Sequence, residues 1–245
     1  TEEVAKFCAA HAELIDFHCW LQWQMDQQLA RTQLAAKSAG MAVGLLQDLA
    51  VGVHPEGVDA WSLQAVLARG VSVGAPPDMY NQVGQDWSQP PWHPAALAEA
   101  AFVPYRDMLR TVLRHAGGLR IDHVLGLFRL WLVPAGMPPN AGTFVKLDHD
   151  AMLGILCLEA QRAGALVVGE DLGTVEGWVQ EVLADRGIVG TSILWFEANS
   201  AGNAKPPREW RHEVLASVSV HDLPPTAGFL RDEHVRIRAD LGLLT

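Results

Sequence analysis

The chain has 245 residues, 49% hydrophobic and 19% charged, enough apolar material to bury a large core and too much for a disordered segment. Lys and Arg number 18 against 28 Asp and Glu, and the net charge of -10 disfavours nucleic acid or an anionic membrane as a partner. No apolar run approaches the roughly 20 residues of a membrane span, no signal peptide opens the sequence, and Cys8, Cys19 and Cys157 form no CxxC; these features predict reduced core thiols in a cytoplasmic protein.

The first residue is Thr1 rather than Met, inside what reads as a helix, so the chain is expected to be a piece of a longer protein. From Val4 onward, apolar residues recur at helical spacing until Gly40, with Trp20 and Trp23 expected as packing residues on the flanks of the stripe. Residues 41–53 are nearly continuously apolar, broken by Gln47 and Asp48, which is how a parallel strand buried on both faces reads. Asp48 there either caps a loop or lines a pocket. Residues 54–94 are rich in proline and glycine and predict a long loop, usually functional at such length. Within it Tyr80, Trp87 and Trp92 offer flat apolar faces and Asp78, Gln82 and Gln85 offer hydrogen bonds, a mixture suited to a sugar ring; a solvent-exposed connector is the plainer reading.

A helix over 94–115 leads to Gly-Gly-Leu-Arg-Ile-Asp-His at 117–123. Leu119 and Ile121 alternate there with Arg120 and Asp122, so a strand would carry the arginine and the aspartate on one face. The guanidinium would hold Asp122 ionised, as a nucleophile or an electrostatic stabiliser requires, although a buried structural pair fits the same residues. A second apolar series follows at 124–132, then a proline-rich loop at 134–140. Asp150 is expected to cap a helix running to Arg162, and the Asp148-His149-Asp150 run reads as that helix start because consecutive side chains diverge too much for metal ligands. Further strands are predicted at 165–169, ending in Glu170-Asp171, at 191–196, and at 214–220, ending in His221-Asp222, with a helix at 175–184.

Carboxylates thus stand where strands end: Asp48, Asp122, Glu170 and Asp222. The alternation predicts an α/β fold of the (β/α) barrel kind, whose strand ends converge on one site. A doubly wound sheet competes, but no GxGxxG or GxxxxGK[ST] follows any strand. Convergent acids suit glycosidic chemistry: one attacks the anomeric carbon, a protonated one helps the leaving oxygen depart, and a third steadies the sugar. Asp122 would be kept ionised by Arg120, and Glu170 would be pushed toward the acid role by its like-charged neighbour Asp171.

The runs Leu-Arg-Ile-Asp-His-Val-Leu-Gly-Leu, Gly-Glu-Asp-Leu-Gly-Thr-Val, Val-His-Asp-Leu-Pro-Pro-Thr and Gly-Ala-Pro-Pro-Asp with Gly-Gln-Asp-Trp resemble the 4-α-glucanotransferases of glycoside hydrolase family 77, the amylomaltases or disproportionating enzymes, and most of all their actinobacterial branch. The resemblance spans essentially all 245 residues. It implies a retaining transferase that moves α-1,4-glucan segments between maltooligosaccharides or other starch- or glycogen-derived glucans, with no cofactor and no metal. Residues 1–245 would form the central part of one (β/α)8 barrel, strands three to seven, with the first two and the last missing and 54–94 inserted after the third. Asp122 would be the nucleophile, Glu170 the general acid/base and Asp222 the transition-state stabiliser. Arg120, His123 and His221 would bind sugar beside them, as would Asp48 and Asp171, while Asp78, Tyr80, Gln85 and Trp87 would cover the acceptor side. Gln47-Asp48 departs from the family's usual Gly-Asp.

Three other functions compete. An α-glucan hydrolase differs only in letting water resolve the covalent intermediate. A metal-dependent barrel hydrolase could use His123, His221, Asp122 and Asp222, but no HxH pair lies on a strand. A non-catalytic sugar-binding barrel has no need of three acids. As an unclosed barrel the stretch leaves strand edges unpaired, so by itself it is expected to be poorly active.

Overall fold

Two helices, α1 (Glu2–Ala10) and α2 (Ala12–Ser38), open the computed structural model, which describes residues 1–78, 81–173 and 175–241. The single helix expected here is interrupted at His11, whose backbone (φ -125°, ψ 30°) is not helical. None of the residues of α1 or α2 is buried: Phe7, Leu14, Phe17, Trp20 and Trp23 all stand exposed, so the two tryptophans do not pack as expected. Cys8 and Cys19 are likewise exposed and Cys157 half-buried, not core thiols.

The first strand, β1, is only Leu46–Leu49. Just before it, the Gln33 side chain of α2 accepts from Leu45 N–H (2.7 Å) and donates to the Val43 carbonyl (3.2 Å), while the Leu45 carbonyl accepts from Gly117 and Gly118 N–H (2.9 and 3.1 Å). After α3 (Val58–Ser62), the proline-rich stretch contains two strands, β2 (Val71–Ala75) and β3 (Gln85–Gln89), where a loop was expected. The next helix is also two, α4 (Pro94–Glu99) and α5 (Val103–Leu113), separated by Ala101 and Phe102 at φ 50° and 55°. Then come β4 (Gly118–Ile121), a 3-10 turn at Val124–Leu127, β5 (Arg129–Pro134) and β6 (Thr143–Lys146). Helix α6 (His149–Ala163) is capped by Asp148, which accepts from Ala151 N–H, and not by Asp150. The chain continues through β7 (Leu166–Gly169), α7 (Gly177–Asp185), β8 (Gly190–Ile193), β9 (Val214–Ser217), α8 (Thr226–Phe229) and α9 (Glu233–Asp240).

β1, β4 and β7 form one parallel sheet in that order, β8 and β9 form a parallel pair, and a single parallel bridge from Val168 to Val189 joins the two groups. Five parallel strands therefore follow one another in chain order. The other four make an antiparallel sheet ordered β3-β2-β5-β6. The core lies between the parallel sheet and α5 and α6, where Tyr105, Leu109, Leu119, Leu153 and Leu156 are almost wholly buried. Arg110 of α5 grips the buried Glu159 of α6 through two hydrogen bonds of 2.9 Å, and Arg162 adds a third. Among the described residues, no helix is long and apolar enough to cross a membrane.

Candidate active site

The register of the parallel sheet assembles the acids. Asp48 on β1 lies opposite Arg120 on β4, and Ile121 lies opposite Gly169 on β7. The ladder runs one residue past each strand: Asp122 N–H donates to the Leu49 carbonyl and Glu170 N–H to the Ile121 carbonyl, both at 2.9 Å. Because side chains alternate along a strand, Asp48, Arg120, Asp122 and Glu170 share one face. Arg120 is only 12% exposed, and its Nη1 reaches both Asp48 Oδ1 (2.7 Å) and Asp122 Oδ1 (3.0 Å). Burial alone would lower the arginine's pKa. The bond to Asp48 and the charges of Asp48, Asp122 and Glu170 outweigh it, so the net shift is upward and the guanidinium is held charged.

Beyond Asp122 the chain reverses at His123, which takes the left-handed conformation (φ 45°, ψ 60°). That turn aims the His123 N–H at Glu170 Oε2 (2.8 Å), while Val124 N–H meets the Glu170 carbonyl (3.0 Å). Glu170 has its pKa raised, first by burial and then by the charges of Asp122 and Asp222, against the lowering effect of the His123 N–H and Arg120. Asp171 is not among the causes, so the reason anticipated for that shift is replaced by desolvation and by acids facing Glu170. Burial lowers the His123 pKa against the opposing charge of Asp122, favouring a neutral imidazole.

The antiparallel sheet reaches this site through β3. Trp87 of β3 meets the His123 ring edge-to-face, centroids 5.5 Å apart, and its indole N–H donates to Gln85 Oε1 (3.1 Å). Other expected site residues lie differently. Asp171 is buried and points into an ion pair with Arg211 (2.6 Å), so it faces no ligand site. Asp78 closes a local turn, its carboxylate accepting from Asn81 N–H. Tyr80 lies outside the described residues. His221 and Asp222 follow β9 by several residues and are both about two-thirds exposed, 3.4 Å apart, with the Asp222 charge still felt at Glu170. The structure thus gathers Asp48, Arg120, Asp122, His123 and Glu170, brings Trp87 and Gln85 to their rim, and leaves Asp222 at an open edge. Arg211 went unnoticed in the sequence, where no spacing connects it to Asp171.

A cleft of about 530 Å³ lies elsewhere, among α2, α5 and α6, lined by Gln33, Lys37, Arg110, Arg114 and Glu159. Arg110 and Arg162 pair there with Glu159, Arg114 pairs with Asp26, Lys37 donates to the Ala42 carbonyl (2.7 Å), and none of the strand-end acids lines the cleft. Among the described residues, no group of three or more His, Cys, Asp or Glu side chains is placed to hold a metal ion.

Comparison with known proteins bears on this arrangement. The family model described as 4-alpha-glucanotransferase, glycoside hydrolase family 77, matches residues 1–242. The 4-alpha-glucanotransferase of Mycobacterium tuberculosis (strain CDC 1551 / Oshkosh) is 60% identical over 99% of this chain and 34% of its own length. The crystal structure of amylomaltase from Corynebacterium glutamicum superposes with a TM-score of 0.90 at 58% identity, covering 96% of this chain and 33% of that one. Amylomaltase from Streptococcus agalactiae in complex with acarbose shares the fold, with a TM-score of 0.83 at 21% identity over 97% of this chain and 49% of that one. The chain spans about a third of the length of the curated relatives from Mycobacterium and Haemophilus influenzae that it matches. With its matched residues covering nearly the whole sequence, the chain belongs to the 4-alpha-glucanotransferase family, glycoside hydrolase family 77.

Proposed function

We propose that residues 1–245 are the central part of the catalytic barrel of a retaining 4-α-glucanotransferase, with β1, β4, β7, β8 and β9 as strands three to seven of a (β/α)8 barrel. The inserted part would extend beyond 54–94: β2 pairs with β5, which follows the next barrel strand, with β3 and β6 at the two edges, so this sheet draws on both segments. The observation that carries the reading is the environment of two neighbouring strand ends. Asp122 is bound to a charged arginine while Glu170, one strand away, is desolvated and its proton retained more readily. A carboxylate bound to a guanidinium and a neighbouring carboxyl that burial keeps protonated more readily divide nucleophile and acid between them.

In the first step Asp122 attacks the anomeric carbon, the glycosidic bond breaks, and the proton of Glu170 goes to the departing oxygen. In the second, Glu170 takes the proton of a sugar hydroxyl, whose oxygen displaces Asp122 from the anomeric carbon. Asp222 would stabilise the oxocarbenium-like charge between these steps, with Arg120, His123, His221 and Asp48 positioning the sugar and Asp78, Tyr80, Gln85 and Trp87 covering the acceptor. A retaining pair stands roughly 5–5.5 Å apart. Neighbouring strands lie about 4.8 Å apart, so the β4–β7 adjacency favours retention over inversion. The substrates are maltooligosaccharides or related α-1,4-glucans, the location cytoplasmic, and the partners neither nucleic acid nor membrane. Hydrolysis of the same glucans remains the second reading, because the intermediate is common to both. In the full-length enzyme, Asp122→Asn abolishes the glycosyl-enzyme adduct seen by mass spectrometry; an adduct forming on another residue moves the nucleophile elsewhere.

A further inference from the structure

We propose that Arg211 is a positioning residue for Glu170: by holding Asp171 it sets how the acid/base carboxyl leaves β7 and keeps a further negative charge out of its surroundings. The inference rests on Glu170 being the acid/base. Between β7 and β8 the ladder is short, with Val189 N–H donating to the Val167 carbonyl (3.0 Å) and Gly169 N–H to the Val189 carbonyl (2.7 Å). A continuing parallel ladder would send the next donor, Thr191 N–H, to the Gly169 carbonyl. It goes instead to Asp171 Oδ1 (2.9 Å), and the Thr191 hydroxyl takes the Gly169 carbonyl (3.1 Å). The two strands therefore part beside Glu170, with the Asp171 carboxylate in the gap.

Arg211, just before β9, closes that gap. Its Nη1 donates to Asp171 Oδ2 (2.6 Å), and its Nη2 donates to Asp171 Oδ1 (2.9 Å) and to the Thr191 carbonyl (3.2 Å). Gln180 of α7 adds a fourth contact to Asp171 Oδ2 (3.3 Å). Space is kept for this clamp at Gly190, where a Cβ would come within 2.3 Å of Arg211 Nη2 and 3.1 Å of Asp171 Oδ2. Asp171 is 4% exposed, so water cannot substitute for the guanidinium. Removing one partner of a buried pair leaves an uncompensated charge, here one residue from Glu170. Glu170 already faces Asp122, Asp222, Arg120 and the His123 N–H. A freed Asp171 charge would join the two acids and favour protonated Glu170.

The test uses the full-length enzyme and maltotriose disproportionation. Arg211→Met should lower kcat about tenfold with KM moved less than about threefold, a loss of orientation rather than of binding. It should also move the alkaline limb of kcat/KM upward by about one pH unit, the scale set by one added nearby charge. Adding Asp171→Asn should return the limb to its wild-type position, and Arg211→Lys should recover part of kcat. Should Arg211→Met fail to fold, Gly190→Ala displaces only the end of a flexible side chain, and the same upward shift, smaller, is expected. A limb that stays in place in the variants that fold, with only a lowered Tm, overturns the proposal. A Glu170→Gln enzyme that keeps its activity would instead remove the acid/base reading on which the proposal stands.

Discussion

In the sheet β1-β4-β7, polar side chains are compensated where they enter: Arg120 by Asp48 and Asp122, and Glu170 by the His123 N–H. In the sheet β3-β2-β5-β6 a polar pair such as Ser72 and Asp86 (2.6 Å) sits exposed on the surface, where water could serve either group instead. Both sheets are built of short strands, β4 and β7 of four residues and β2 and β3 of five. The difference lies in burial: β4 is covered on both faces, whereas β3 alternates between half-buried and exposed positions. Burial in the parallel sheet raises the pKa of Glu170, directly after β7. The parallel sheet can therefore do acid–base chemistry, while the antiparallel sheet contributes a surface, chiefly Trp87 against His123.

The sharpest way to separate the two sheets is to remove the proposed proton donor. In the full-length enzyme Glu170→Gln should lower transfer by about 10²- to 10⁴-fold, the usual contribution of a general acid. A fluoride donor, whose leaving group needs no proton, should restore formation of the glycosyl-enzyme; failure of that rescue would assign Glu170 another role. In the wild type, the raised pKa of Glu170 places the alkaline limb of kcat/KM above the ordinary glutamate value of roughly 4.3, since the protonated form persists to higher pH. A limb at or below that value would contradict desolvation as the cause.

A pair of glycines breaks each sheet in turn. A Cβ at Gly117 would stand 1.7 Å from the Val43 carbonyl oxygen, and one at Gly74 would stand 2.0 Å from that of Gln85. Both clashes are with backbone, so each alanine should cost about 1–3 kcal/mol or more, read from denaturant midpoints. Their effects on activity should differ. Gly117→Ala precedes β4 and should depress transfer and hydrolysis together, whereas Gly74→Ala should shift the balance between them and leave adduct formation intact. Equal losses of adduct in both variants would dissolve the division of labour.

The smallest expected effect falls on Trp87→Ala. An aromatic contact contributes about 0.5–1.5 kcal/mol beyond its burial, so the transfer-to-hydrolysis ratio should fall about two- to tenfold as the acceptor sugar loses its stacking face. An unchanged ratio in product analysis would confine Trp87 to supporting His123.

Much of the acid site was legible because it depends on local pattern. Alternation around Arg120 and Asp122, apolar runs closing in Glu170 or Asp48, and absent nucleotide motifs are all properties of a few consecutive residues. Neighbouring strand ends then follow from the α/β alternation, and the structure does pair β4 with β7. Asp171 was misread for the same reason. It adjoins Glu170 in sequence, but alternation turns it to the opposite side, and its partner lies 40 residues away.

By itself the sequence determined the parallel strands, the acids Asp122 and Glu170 directly after β4 and β7, and the family, since each rests on short-range periodicity or on contiguous motifs. Only the tertiary structure decided that 71–89 forms strands, because β2 gains a partner in β5, and such non-local pairing leaves no mark in a proline-rich stretch; β3 then pairs with β2 as the edge strand. It also decided where helices stop, at His11 with no proline or glycine beside it, and at Ala101 and Phe102, where Pro104 in the first turn of α5 is the local signal of a restart. The pKa of Glu170 was decided there too. Desolvation and the distant charges of Asp122 and Asp222 are properties of the space around a carboxyl, and a sequence states only which residues adjoin it in the chain.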